Sequence, residues 1–403
     1  MTGPLPDATA VALEGPGNPG VSDGAPPPAV RRLDLAEFRC YAAARIDLDG
    51  RPVVLTGPNG AGKTNLLEAV SFLAPGRGLR RAALAEVGRT GADGAWAVAA
   101  RADGRLGPVA LGTGPDPAAP TGGRRLVRIN GATAPSQTAL ADHLTIVWLT
   151  PQMDRLFQGG ASDRRRFLDR LVYGFDPAHA TRVSRYEQAM RERNRLLKQG
   201  VFDDAWLGGL EQVMAETGAA VAAARVDVVA RLSAAIAAGG TGGAFPSPDL
   251  ALDGETEAAL TAGQPALAVE DALRGGLAQR RRVDAGAGAA TQGPHRSDLS
   301  VHHAGKGIAA DQCSTGEQKA LLIGLILANA RLLAADRGAP PVLLLDEVAA
   351  HLDEHRRAAL FDACLVLGTQ VWMTGTDRLL FADLGARAQW LGIQDGTVHP
   401  MHG

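Results

Sequence analysis

The sequence predicts an α/β protein: a phosphate-binding head assembled from N- and C-terminal segments, with an inserted, mainly helical arm. Three observations predict it. Gly57-Pro58-Asn59-Gly60-Ala61-Gly62-Lys63-Thr64 fits G-x-x-x-x-G-K-[ST] and sits between an apolar run, Val53 to Leu55, and a helical pattern. A second apolar run, Val342 to Leu345, ends in Asp346-Glu347 far downstream. Between them, residues from about 162 to 239 carry helical rather than alternating periodicity.

Composition narrows the class. The chain has 403 residues, 46% hydrophobic and 21% charged, with a formal net charge of −2. That is a soluble globular profile with room for two or three domains. Coating nucleic acid by bulk charge is excluded, so any such site must be a local patch. Cys40, Cys313 and Cys364 lack metal or disulfide spacing, which suits a reducing, cytoplasmic setting. The longest apolar run, Ala320 to Ala328, is too short to cross a bilayer, so no membrane is expected. No basic region followed by an apolar core marks a signal peptide.

Residues 1–28 are rich in Gly, Pro and Ala without periodicity and are expected to be a disordered tail. The N-terminal half of the head spans 29–155. Leu33 to Arg39 and Ala43 to Leu48 predict a hairpin leading to Val53. Thr64 to Leu73 predicts a helix that stops at Pro75-Gly76. Trp96 to Ala100, Val109 to Gly112 and Leu126 to Asn130 alternate like strands, and Thr145 to Leu149 is a buried strand ended by Pro151-Gln152. The arm spans 156–290. Arg164-Arg165-Arg166-Phe167-Leu168 opens it. Thr181 to Lys198 then puts Val183, Tyr186, Met190, Arg193 and Leu197 on one helical face, and Ala219 to Ala238 forms a second helix. From 240 to 290 Gly, Ala and Pro dominate and no element is placed. The C-terminal half of the head spans 291–403. It opens strand-like at Gly293 to Leu299, continues in a long helix from Lys319 to about Ala335, and alternates helix and strand thereafter.

The candidate site follows from the motifs. Loop glycines turn backbone N–H groups toward an anion, and the following helix adds its dipole. Gly57, Pro58, Asn59, Gly60, Ala61, Gly62, Lys63, Thr64 and Asn65 form the expected ATP-binding stretch. Lys63 would reach the β- and γ-phosphates, and the Thr64 hydroxyl would hold Mg²⁺. Asp346 would complete the Mg²⁺ shell through water, and Glu347 would polarise the attacking water. Ser314-Thr315-Gly316-Glu317 opens a helix. The pattern is a capping box, and it is also S-x-G-[EQ], the signature of ABC-type ATPases, in which Ser314 and Gly316 face a γ-phosphate. Order combines these pieces: phosphate loop, Gln152 after a strand, S-T-G-E, L-L-L-D-E, then His351-Leu352-Asp353. The head is therefore expected to be an ABC-type P-loop ATPase head, with Gln152 serving both metal and catalysis.

Ser314 lies 251 residues after Lys63, far more than in a transporter ATPase subunit, so a domain is inserted. The chain resembles the SMC-like DNA-repair ATPases, but its arm is short and lacks sustained heptads. More closely, residues 30 to 403 resemble the RecF family. The resemblance rests on Phe38-Arg39, Gly57 to Glu68, Arg128 to Gly131, Arg164 to Asp169, Gly293 to Leu299, Ser314 to Gln318 and Leu345 to Glu347. It implies an ATP-dependent homodimer, with weak ATP hydrolysis as a switch, that binds double-stranded DNA near single-strand gaps. With RecO and RecR it would assist RecA loading in replication restart and the SOS response. Arg39 is carried over as an ATP contact. One departure is that Thr374-Gly375-Thr376 stands where many such ATPases carry a switch His. Either Thr374 substitutes weakly or hydrolysis is slow.

Arg77, Arg80, Arg81, Arg193 and Arg195 are candidate DNA contacts, because the Arg fork matches phosphate. Each could equally be a solvated face with helical ion pairs. No base-reading module is visible, so backbone and shape recognition is expected. The alternatives are another SMC-like repair ATPase, a transporter ATPase subunit, or a small-molecule kinase, which has no use for S-T-G-E.

Overall fold

A computed structural model describes residues 26–92, 94–119, 124–239 and 243–401. All but the last three residues of the expected 1–28 tail lie outside them. The chain opens with strands β1 (Ala29–Phe38) and β2 (Tyr41–Asp47), then β3 (Val53–Thr56) and helix α1 (Lys63–Ser71). Strands β4 (Ala97–Gly104), β5 (Gly107–Pro115), β6 (Arg125–Ile129), β7 (Ala132–Thr133) and β8 (Ile146–Leu149) follow. The helical stretch is α2 (Ala161–Phe175), α3 (His179–Lys198) and α4 (Asp204–Ala237). Next come β9 (Pro248–Asp253), α5 (Glu255–Thr261), α6 (Ala266–Gln279), α7 (Arg281–Ala287), β10 (Asp298–His303) and β11 (Ile308–Ala309). The chain closes with α8 (Thr315–Arg337), β12 (Val342–Leu345), α9 (Glu354–Leu367), β13 (Val371–Gly375), β14 (Gln389–Gln394) and β15 (Thr397–Met401).

The head is built on one six-stranded sheet ordered β15-β14-β3-β13-β12-β8, parallel except for β15. Strands β3, β12 and β13 are buried along their whole length, as unbroken apolar runs require when both faces are covered. On one face α1 and a second, antiparallel sheet (β2-β1-β4-β5-β6-β7) enclose a core of Leu33, Leu55, Leu66, Phe72, Val98 and Trp372. On the other, α2, α8 and α9 enclose Leu171, Leu321, Leu325, Leu343, Phe361 and Met373. The hairpin of β1 and β2 forms as expected but belongs to the second sheet and stands over the phosphate loop.

Two readings of the sequence are corrected, and one unplaced stretch acquires its elements. Gly293 to Ser297 is a turn, and the strand begins only at Asp298. Gly293 takes φ +126°, and a Cβ there would lie 2.4 Å from Tyr186 Oη, so the turn is dictated by close packing. The signature helix starts at Thr315 and runs 23 residues, long and apolar enough to cross a membrane by length and composition. It is a core helix, with 78% of its most apolar window buried in the protein. Residues 248 to 287, unplaced from sequence, form a strand and three short helices, and β9 pairs antiparallel with β10.

Arginines tie α2 and α4 to the turn that leads into β10. Arg164 donates from Nε and Nη2 to Asp298 at 2.8 and 2.6 Å, and Arg165 donates to the Ser297 carbonyl at 2.6 Å. Arg225 on α4 donates to both oxygens of Asp169 at 2.9 and 3.0 Å and to the Pro294 carbonyl at 2.6 Å. His179 also meets Asp169, at 2.8 Å. R-R-R-F-L-D and G-P-H-R-S-D-L are thus joined in one network, buried around Arg225 and Asp169 and partly exposed at Arg164 and Asp298. Charges removed from water are tolerated only in such paired, hydrogen-bonded sets.

Candidate nucleotide site

β3 delivers the chain to the loop at the C-terminal edge of the parallel sheet, and α1 leads it away. Gly57, Gly60 and Gly62 take φ of +152°, +81° and +116°. Two of these are enforced by neighbours. A Cβ on Gly57 would lie 2.2 Å from the Ile393 carbonyl oxygen, and one on Gly62 would lie 2.7 Å from both Cys40 Sγ and Tyr41 Oη. At Gly60 a Cβ would meet nothing, so that position faces open space. Tyr41 Oη donates to the Gly62 carbonyl at 3.0 Å, and burial pushes its pKa up, keeping it a neutral donor. Gly62 caps α1 without a side-chain acceptor, which leaves the first-turn N–H groups for an anion.

Lys63 is 4% exposed, and its Nζ donates to the Gly57 and Pro58 carbonyls at 2.7 and 2.9 Å. Burial lowers its pKa, and the nearby Glu347 and Asp346 oppose that shift. Thr64 Oγ1 lies 3.0 and 3.1 Å from the two oxygens of Asp346, at the end of β12. Burial raises the Asp346 pKa, against hydrogen bonds from Thr374 and Thr64. A hydroxyl and a carboxylate converging beside a phosphate loop form the hard oxygen set that Mg²⁺ takes, with water completing its octahedron. Glu347 follows in a left-handed backbone, φ +51°, half-buried.

A ring of polar residues braces α1 from below. Glu68 is fully buried and accepts from Arg39 Nε and Nη2 at 2.8 and 2.6 Å and from Arg80 Nη1 at 2.8 Å. Arg39 Nη1 donates to the Glu86 carbonyl at 2.5 Å. Arg80 Nη1 also reaches Asn65 Oδ1 at 2.6 Å, and Asn65 Nδ2 donates to Cys40 Sγ at 3.1 Å. Arg80, a candidate DNA contact, commits Nη1 to this brace while the residue stays exposed. The sequence signal for it was a carboxylate on the inward face of α1, where only a paired charge can sit.

Ser314 is exposed and caps α8. Its Oγ donates to Glu317 Oε2 at 2.8 Å, the Ser314 N–H donates to the same oxygen at 3.0 Å, and the Glu317 N–H returns to Ser314 Oγ at 3.4 Å. Thr315 and Gly316 are exposed beside it. Gln152 is exposed on the turn Pro151–Arg155 that follows β8, and Asp154 of that turn accepts from Lys319 of α8 at 3.2 Å.

The other basic candidates divide. Arg77 and Arg81 are exposed beyond α1. Arg195 is exposed and paired with Glu192 at 2.6 Å. Arg193 is corrected: it is fully buried, donating to Glu211 at 3.0 Å, Asp284 at 2.7 Å and the Leu277 carbonyl at 2.7 Å. It lies on the same helical face as Tyr186 and Leu197, which are buried too, so the apolar stripe carries it inward where two acids receive it.

A family model described as an AAA domain matches residues 32–82. Two curated relatives carry the name DNA replication and repair protein RecF. The one from Rhizobium leguminosarum bv. trifolii is 53% identical over 92% of this chain and 98% of its own length. The one from Allorhizobium ampelinum is 55% identical with the same coverage. A solved structure of the recombination mediator protein RecF with ATP superimposes with a TM-score of 0.82 at 21% identity. It covers 94% of this chain and 99% of its own, a likeness of fold.

Proposed function

The chain belongs to the RecF family of DNA replication and repair proteins, and from that premise we propose that it is an ATP-gated, DNA-binding homodimer of gap repair. ATP would bind at Gly57 to Asn65, with Lys63 on the β- and γ-phosphates and Arg39 at the flank. Mg²⁺ would be held by Thr64, with Asp346 and Gln152 acting through water, and when bound it neutralises charge developing on the phosphates. Glu347 would take the proton from the attacking water. Ser314 and Gly316 of a second copy would close over the γ-phosphate. Hydrolysis would be slow, a switch rather than a motor. Double-stranded DNA near single-strand gaps would be the nucleic-acid partner, met through exposed arginines such as Arg77, Arg81 and Arg195. RecO and RecR would be partners in RecA loading, in the cytoplasm.

The observation that carries the reading is the convergence of the Thr64 hydroxyl on Asp346, which joins the phosphate loop and the acidic strand end at one point. By itself it does not distinguish a transporter subunit or a kinase: the 251-residue interval between Lys63 and Ser314 argues against the first, and the exposed S-T-G-E edge, for which a kinase has no use, argues against the second. The test is Glu347→Gln, sized with and without ATP and again with gapped duplex DNA. Turnover is expected to fall about 10²-fold or more, as for loss of a general base, with ATP dimers accumulating. Turnover at the unsubstituted rate would remove Glu347 from the chemistry.

A further inference from the structure

Thr374 is the last residue but one of β13, the strand that lies between the loop-bearing β3 and the acidic β12. Leu345 pairs with Met373, so Thr374 stands one step beyond the last pair, level with Asp346 and Glu347. Its side chain is 1% exposed. Its Oγ1 donates its single proton to Asp346 Oδ1 at 2.8 Å and accepts the Glu347 N–H at 2.8 Å. Both functions of the hydroxyl are thus used within the acidic turn, which leaves no proton for a phosphate. Glu347 takes φ +51°, a left-handed conformation that strains a non-glycine residue and persists only where its surroundings over-determine it.

We propose that Thr374 is a positioning residue for hydrolysis: its hydroxyl straps the Asp346-Glu347 turn, holding Glu347 in its left-handed backbone so that the carboxylate is aimed at the attacking water. The inference rests on the reading of Glu347 as base. It replaces the expectation that Thr374 stands in for a switch histidine on the γ-phosphate.

Thr374→Val keeps the β-branch and volume but leaves the Glu347 N–H and Asp346 Oδ1 each without this partner. We expect ATP affinity within about two-fold of the unsubstituted protein and turnover lowered about 10-fold or more, since it is aim rather than binding that is lost. Thr374→Ser, which keeps the hydroxyl, restores turnover. In a Glu347→Gln background, adding Thr374→Val lowers turnover no further, because the strap acts through that carboxylate. If the valine variant does not fold, Thr374→Ala carries the same comparison, with thermal midpoint and nucleotide affinity measured on the same sample. A valine or alanine variant at full turnover, beside an inactive Glu347→Gln, would overturn the strap and leave the base intact. A parallel loss of affinity and turnover would overturn it in favour of a metal-site role. Glu347→Gln at full turnover would sink the underlying reading and the strap with it.

Discussion

At the scale of single residues, the site is a set of hydroxyls and carboxylates that satisfy one another. Thr64 and Thr374 both converge on Asp346, and Ser314 and Glu317 cap each other. The second pair has a pH signature. The Lys306 ammonium, then the hydrogen bonds from Ser314, hold Glu317 down at about 2 from an ordinary 4.5. A carboxylate lowered in the folded state contributes stability that is complete above its unfolded value and lost as pH falls through its folded one. The capping box should therefore stay closed from neutral pH down to about 4.5 and open only as pH approaches about 2. Carboxyl ¹³C resonances of Glu317 should titrate near that lower value, and Lys306→Met should move the midpoint toward 4.5. A midpoint already at 4.5 in the unsubstituted protein would mean that the box is open in solution.

At the scale of elements, α3, α4 and α7 are joined by buried arginines as well as by apolar packing. α3 is amphipathic in the usual sense, with Tyr186, Ala189, Leu196 and Leu197 inward, yet Arg193 shares that face. Removing it leaves the fully buried Asp284 with hydrogen bonds from Thr291 in place of its guanidinium partner, while Arg281 still reaches Glu211 at 2.6 Å. Breaking a buried ion pair from one side costs about 3–5 kcal/mol. Arg193→Ala should lower the urea midpoint accordingly and leave the salt dependence of DNA binding unchanged while the protein is folded. Arg195→Ala, which loses only exposed contacts with Glu192 and Gln199, should leave the urea midpoint essentially unchanged. A stable Arg193→Ala protein with a reduced salt slope would return Arg193 to the DNA surface.

At the scale of the whole molecule, the exposed signature edge carries the consequence. Ser314 and Gly316 face solvent at the start of a 23-residue helix whose body is core. Charged hydrogen bonds across a dimer seam contribute about 1.5–3 kcal/mol each. Ser314→Arg removes the hydroxyl and adds bulk there, so ATP-dependent dimerisation should be lost in sedimentation while ATP still binds each monomer. A variant that dimerises with ATP as before would confine Ser314 to capping α8.

The sequence by itself determined the α/β class, the phosphate loop, the acidic strand end and the family, because those depend on local order: strand, glycines, lysine, helix. It also held the capping box, whose partners are three residues apart. Tertiary structure decided what depends on contacts between distant segments. Thr374 looked like a missing histidine until β13 was placed between β3 and β12, where its hydroxyl meets Asp346 and Glu347. Arg193 looked like a phosphate ligand because an arginine's identity does not say which carboxylate waits for it; Glu211 and Asp284 are 18 and 91 residues away. Residues 248 to 287 could not be placed because their short helices and edge strand draw their order from packing against α4 and β10 rather than from periodicity of their own.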